Sequence, residues 1–306
     1  MKIAVITPVK HLPRIEKKLE SIGEVFYLEN GTKEEVKSLI HKNKIDTIVC
    51  NPNKQDFIID KILLLNSKVK VINTCSTGLN HIDLEYCRKN GIIIQSLTTD
   101  FELINSLPST SELAFGLLMS IVRKIPSSHF EVFNKRTWDY TGFIGTQIQG
   151  LTIGIVGYGR LGKFMEQYCR AFNAEILIFD PYKPEISVNS LKELFSKCDA
   201  VSLHVHVSNE TKHMISKELF PCRVRYLVNT SRGEIVKEED IADLLVSGQL
   251  KGYGTDVLEN EFDVPISSPL LSLDPNEYNV VITPHTGGMT FEGQAKAFNY
   301  SIDKLL

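Results

Sequence analysis

Three short stretches of this chain place a chemically active residue at the end of an apolar run. Residues 226–230 lead into Ser231-Arg232-Gly233, and residues 252–257 carry Asp256 and continue to Glu259-Asn260-Glu261. Residues 280–283 lead into Pro284-His285-Thr286-Gly287-Gly288. Each run reads as a strand, and in an open parallel sheet the carboxyl ends of the strands line the ligand crevice. Arginine offers a planar fork of donors that fits a carboxylate. Histidine titrates near neutral pH and can give or take a proton. A carboxylate beside it orients the ring and favours its charged form. Taken singly, each residue has a plainer reading: a surface ion pair for Arg232, a solvated run for Glu261, a turn for His285. Together at strand ends, they form the set that hydride transfer to a 2-oxo acid requires, with Arg232 on the substrate carboxylate and His285 as acid/base.

A second constellation lies upstream. Gly157-Tyr158-Gly159-Arg160-Leu161-Gly162 follows the apolar run Leu151-Thr152-Ile153-Gly154-Ile155-Val156. Leu161, Phe164, Met165, Tyr168, Cys169 and Phe172 then recur at three- and four-residue steps, so a helix with one apolar face follows, and Asn173 suits its left-handed end. Glu175-Ile176-Leu177-Ile178-Phe179-Asp180 is the next strand, ending in an acid. This is the context a dinucleotide fingerprint demands. Gly157 permits the tight turn, Gly159 lets a pyrophosphate approach the backbone, and Gly162 lets the helix pack close to the sheet. The helix N-terminus receives the phosphate charge. Asp180 accepts bonds from ribose hydroxyls and repels a 2′-phosphate, which points to NAD over NADP.

The bulk composition narrows the classes. The 306 residues predict about two domains, and 42% hydrophobic with 23% charged residues is ordinary for a globular chain. A net charge of −3 shows no basic excess, so nucleic acid is not an expected partner. No apolar run is long enough to cross a bilayer, and Met1-Lys2-Ile3-Ala4-Val5-Ile6 reads as a first strand, not a leader. Cys50, Cys75, Cys87, Cys169, Cys198 and Cys222 are scattered without metal-ligand spacing, as reduced thiols of a cytoplasmic enzyme would be. No metal site is expected.

Strand and helix patterns alternate from end to end. The first third predicts strands over 2–7, 24–28, 46–50, 69–74 and 92–95. Helices are predicted over 12–22, 58–65 and 82–89. Another opens at the capping box Thr32-Lys33-Glu34-Glu35. Ser109–Val122 predicts a long helix bridging two domains, and residues 138–150 an irregular link. Ser190-Leu191-Lys192-Glu193 caps a helix, 237–246 forms another, and a last helix starts near Phe291. Repeated βαβ units imply an α/β fold of two Rossmann-like or flavodoxin-like domains with parallel sheets. The cofactor domain (102–285) is inserted into the substrate domain (1–101 and 286–306).

These residues resemble the D-isomer-specific 2-hydroxyacid dehydrogenases over nearly the whole chain. Gly154 to Gly162, Asn229 to Gly233, Glu261 five residues after Asp256, and Pro284 to Gly288 occur together and in the family's order. The resemblance implies catalytic roles for Arg232, Glu261 and His285. It implies cofactor contacts at Gly157, Gly159, Arg160, Leu161, Gly162, Asp180 and Thr230, and a contact from Asp256 to the nicotinamide amide. It also implies that backbone amides of Ser76-Thr77-Gly78 bind the substrate carboxylate, and that the protein is a homodimer with Ser109–Val122 near its interface. One departure is Leu203-His204-Val205-His206, where His206 replaces the usual proline. Glu261 argues against a formate dehydrogenase, which carries glutamine there. An NADH-sensing scaffold protein and a phosphoglycerate dehydrogenase-like enzyme without a regulatory domain remain as alternatives. Asn51-Pro52-Asn53-Lys54-Gln55 borders the substrate side chain in the family, and its polarity points to hydroxyls or a second acidic group on the substrate.

Overall fold

The computed structural model describes every residue except 53–56, 221–222 and 264. It divides into two compact units, Met1–Leu107 with Gly288–Leu306, and Pro108–Gly287.

The first unit is built on β1 (Lys2–Val5), β2 (Glu24–Tyr27), β3 (Thr47–Cys50), β4 (Val71–Thr74) and β5 (Ile93–Gln95). All pairs are parallel, in the order β2-β1-β3-β4-β5. Its helices are α1 (Ile15–Ile22), α2 (Lys33–Asn43), α3 (Lys61–Leu64), α4 (Leu84–Lys89) and α5 (Phe101–Asn105). The Thr32 box forms as expected: Thr32 Oγ1 accepts from the Glu35 N–H at 3.3 Å, and Glu35 Oε2 accepts from the Thr32 N–H at 2.8 Å. Three helices start later than their apolar periodicity predicts. Asp60 caps α3 by accepting from the N–H groups of Ile62 and Leu63, and Asp83 caps α4 by accepting from the Tyr86 N–H. That leaves Ile59 and Ile82 to pair as a short parallel bridge. Before α1, Arg14 sits at φ 69°, where a helix cannot continue backwards. In each case turn and cap chemistry overrides the periodic pattern.

The second unit contains α6 (Ser109–Val122), α7 (Ile125–Phe130), β6 (Thr152–Val156), α8 (Arg160–Ala171), β7 (Glu175–Phe179), α9 (Leu191–Lys197), β8 (Ala200–Leu203), β9 (Tyr226–Asn229), α10 (Glu238–Val246), β10 (Gly252–Thr255) and β11 (Val280–Ile282). Its six strands are parallel in the order β11-β10-β9-β8-β6-β7. Strands β6, β8, β9 and β10 are buried at every residue, as expected of a sheet covered on both faces. One cluster packs Leu194, Phe195, Ile241, Leu244 and Tyr253 on one side. The other packs Ala114, Leu117, Ile121 and Met165. Helix α6 is therefore a core helix of this unit. Full burial of Leu117, Leu118 and Ile121 is worth about 1.5–3 kcal/mol each, which accounts for its apolar character.

The last helix, α11 (Phe291–Asp303), packs Phe298 and Ile302 with Ile15 and Leu19 and so belongs to the first unit. Helix α5 also stays with that unit, because Leu103 packs with Leu97 and Ala297. The units accordingly divide at 107/108 and 287/288, where the pattern reading drew 101/102 and 285/286.

Candidate active site

Strand order decides what meets at the carboxyl edge of the second sheet. The direction of winding reverses between β6 and β8, and a crevice opens at such a reversal. Next to it the ends of β9, β10 and β11 lie side by side, carrying Arg232, Asp256 and His285.

His285 Nδ1 lies 2.8 Å from Glu261 Oε1. An ionised carboxylate only accepts, so Nδ1 is the donor and proton exchange falls to Nε2. The loop that bears His285 is held from β10. Asp256, 1% exposed, accepts at Oδ1 from Thr283 Oγ1 (2.6 Å), the Thr286 N–H (2.8 Å) and Thr286 Oγ1 (3.3 Å). Its Oδ2 accepts from the Gly287 N–H at 2.7 Å. The His285 N–H also returns to the Asp256 carbonyl at 2.9 Å. This clamp holds His285 at φ 53°, a left-handed conformation that a histidine seldom adopts. The anchoring role of Asp256 is absent from the sequence reading, which gave it only a cofactor contact.

Arg232 is half-buried, and its guanidinium donates to the Ser231 carbonyl at 2.6 Å. No carboxylate pairs with it among the described residues. Its segment is pressed against the one that carries Glu261: a Cβ on Gly233 would stand 2.0 Å from the Leu258 carbonyl carbon and 2.1 Å from the Glu259 nitrogen. Only glycine allows that approach. Ser231 joins the same assembly to the end of β8, with Oγ donating to the Leu203 carbonyl at 2.7 Å and accepting from the Val205 N–H at 3.2 Å.

The fingerprint turn takes the shape its residues imply. Gly157 has φ 88°, and a Cβ there would meet the His204 carbonyl oxygen at 2.5 Å; a Cβ on Gly162 would meet the Gly157 oxygen at 2.2 Å. Among the described residues, nothing would meet a Cβ on Gly159 and no side chain caps α8. The first-turn amides around Arg160 and Leu161 are thus placed for an anion. Asp180, buried, accepts from the Tyr158 N–H at 2.9 Å and the Tyr182 N–H at 3.0 Å, which fixes its carboxylate at the end of β7 beside the turn. Thr230 Oγ1 is buried with no partner among the described residues, and so is His204 Nδ1. Burial holds the His204 imidazole down at about 4, so it is neutral and no candidate proton donor. An open glycine cradle, an uncapped helix and orphaned polar atoms at adjoining strand ends fit a dinucleotide.

In the first unit the loop after β4 has an unusual balance. The carbonyls of Cys75, Ser76, Thr77, Gly78 and Leu79 accept from Asn51 Nδ2, the Leu97 N–H, Thr98 Oγ1, Ser76 Oγ and the Ile82 N–H, respectively. The N–H groups of residues 76–79 donate to no acceptor among the described residues. A row of spare donors with its acceptors all engaged has the polarity that an anion requires. Cys75 is buried and its thiol is pushed up to about 12, which makes it an inert neighbour. Of the five-residue stretch after β3, Asn51 and Pro52 are described, and 53–55 lie outside the described residues.

Residues 3–99 match the catalytic domain, and 115–287 the NAD binding domain, of the D-isomer specific 2-hydroxyacid dehydrogenases. The chain belongs to this family. Among family members, the D-3-phosphoglycerate dehydrogenase of Methanocaldococcus jannaschii is 31% identical over 97% of this chain and 55% of its own length. The hydroxypyruvate reductase of Thermotoga maritima is 32% identical over 80% of this chain and 79% of its own. The chain spans about half the length of the phosphoglycerate dehydrogenases it matches. Among solved structures, the TT0316 protein of Thermus thermophilus has a TM-score of 0.82 at 26% identity, covering 100% of this chain and 96% of that one. The D-lactate dehydrogenase of Aquifex aeolicus, complexed with NAD and lactic acid, has a TM-score of 0.77 at 25% identity over 99% and 94%.

Proposed function

We propose that this protein is an NAD-dependent dehydrogenase that interconverts a 2-oxo acid and a D-2-hydroxy acid. The observation that carries this reading is the 2.8 Å His285–Glu261 pair one strand from an arginine that no carboxylate engages among the described residues. Arg232 holds the substrate carboxylate through its donor fork and polarises the oxo group. His285 gives a proton to the developing alkoxide, and Glu261 orients the ring. By the family resemblance, the amides of Ser76, Thr77 and Gly78 are a substrate-binding element of the first unit. Gly157, Gly159, Arg160, Leu161, Gly162, Asp180 and Thr230 hold NAD, which supplies or accepts the hydride when bound. Four bonds already engage the Asp256 carboxylate, so a contact to the nicotinamide amide uses the remaining lone pair of Oδ2.

The protein works as a homodimer. Phe133, Trp138, Tyr140 and Ile144, all exposed in the segment after α6, supply the apolar surface. Helix α6 itself lies in the core, so the residues that follow it are the better candidates.

NADH oxidation with a panel of 2-oxo acids tests the reading. Turnover with a small 2-oxo acid, lost in His285→Ala, supports it. No turnover with any of them favours an NADH-sensing scaffold. A second reading, a phosphoglycerate dehydrogenase-like activity, draws on the relatives of that name and on the polar stretch after β3. Turnover confined to a phosphorylated 2-oxo acid distinguishes it.

A further inference from the structure

The spare amides of residues 76–79 exist because the carbonyls beside them are tied down, and one of those ties has its origin in the core. His81 is 4% exposed. Its Nε2 lies 3.1 Å from Thr74 Oγ1 and 3.5 Å from Cys50 Sγ, and its Nδ1 is buried with no partner among the described residues. Burial pushes this imidazole down to about 4, so one ring nitrogen carries a hydrogen and the other does not. A buried N–H without an acceptor is rarer than a bare acceptor, which places the hydrogen on Nε2. Its bond to Thr74 Oγ1 then sets the direction of the whole chain. Thr74 Oγ1 lies 2.9 Å from Ser76 Oγ, and Ser76 Oγ donates to the Gly78 carbonyl at 2.9 Å. Ser76 has a single hydroxyl hydrogen and uses it on Gly78, so Thr74 must donate to Ser76 and accept from His81. The order is His81 Nε2–H, Thr74 O–H, Ser76 O–H, Gly78 C=O, with every donor used once.

We propose that His81 is a positioning residue for the substrate. Through Thr74 and Ser76 it locks the Gly78 carbonyl, and so keeps the amides of residues 76–79 available to the substrate carboxylate. This rests on the reading of that loop as a substrate-binding element. The Gly78 carbonyl and the Leu79 N–H belong to one planar peptide and point in opposite directions. Holding the carbonyl on Ser76 therefore holds that amide away from it. Without the Nε2–H, the Thr74 and Ser76 hydroxyls are free to reverse, Gly78 loses its donor, and the peptide can turn.

The test compares His81→Phe, His81→Gln and Thr74→Val. Glutamine places an amide N–H near the position of Nε2, whereas phenylalanine fills the space without a donor. Three quantities are measured: KM for the most active 2-oxo acid of the panel, Kd of oxamate for the NADH complex, and Kd of NADH alone. His81→Phe and Thr74→Val are expected to raise KM and the oxamate Kd about tenfold with the NADH Kd unmoved, and His81→Gln to recover most of the loss. Unchanged substrate affinity in both His81→Phe and Thr74→Val overturns the proposal. So does a His81→Gln as defective as His81→Phe, or an NADH Kd that moves in step with KM. Should His81→Phe not fold, Thr74→Val against Thr74→Ser decides, since serine keeps the hydroxyl. A parent protein that turns over no 2-oxo acid and binds no oxamate removes the functional reading itself. An active parent with unmoved variants removes only the role of His81.

Discussion

Glu261 and His285 stand 24 positions apart in the chain and 2.8 Å apart in space, with Nδ1 of the ring donating to Oε1 of the carboxylate. The geometry needs two supports. Gly233 seats the 258–261 segment against the arginine loop, and Asp256 fixes the histidine loop from the neighbouring strand. The carboxylate is therefore placed as an acceptor that fixes the orientation of the ring.

Replacing Glu261 by glutamine keeps the size and removes the charge. Glutamine can still accept from the ring but no longer sets an anion beside the group that passes the proton, so kcat for 2-oxo acid reduction should fall about tenfold with the NADH Kd unchanged. Steady-state rates and NADH fluorescence titration provide the check. An unchanged kcat would mean that the carboxylate only orients the ring.

Arg232→Lys retains a positive charge and loses the planar fork. KM for the 2-oxo acid should rise about tenfold and kcat should fall, with NADH affinity unchanged. Steady-state kinetics and NADH fluorescence titration measure these separately. A parallel loss of NADH binding would assign the residue to the cofactor.

The carboxylate of Asp180 is fixed by the amides of Tyr158 and Tyr182 beside the fingerprint turn. A fixed anion there opposes a 2′-phosphate, so kcat/KM should favour NADH over NADPH by about tenfold or more. Comparable efficiency with the two cofactors would contradict this assignment.

The protein contains one tryptophan, and Trp138 is 93% exposed in the single chain. If the segment after α6 forms the dimer contact, light scattering will give twice the 34.5 kDa chain mass, and Trp138 emission will shift to the red on dilution. Phe133→Asp should lower the mass to that of one chain. A monomer with unchanging emission would exclude this contact.

His81 sets an acid limit on stability. The folded state holds its imidazole at about 4, below the ordinary 6.5. The contribution is complete above about pH 6.5 and is lost as the pH falls from there toward 4, because the unfolded chain then binds a proton that the folded one refuses. At about pH 5 the loss from this residue is about 2 kcal/mol. Urea midpoints at neutral and mildly acid pH should therefore converge in His81→Gln relative to the parent. Identical acid sensitivity would mean that the folded protein accepts the proton.

Much of this molecule is legible in its order of residues. The glycine fingerprint with the strand before it, the helix after it and Asp180 beyond depends on contacts within about thirty residues, where turn chemistry and periodicity act directly. The bounds of α6 and the Thr32 capping box were readable for the same reason. Arg232, Glu261 and His285 could be named because each follows an apolar run, and the parallel sheet brings the ends of such runs to one edge. The pattern could not show what holds them there. That the side chain of Asp256 serves the histidine loop and that Gly233 must be bare for Leu258 to lie against it both depend on which strands become neighbours. The apolar composition of α6 shows that the helix is covered, and its neighbours are β9, β10 and α8. Hydrophobicity records that a surface is buried, and only the packed structure decides against what.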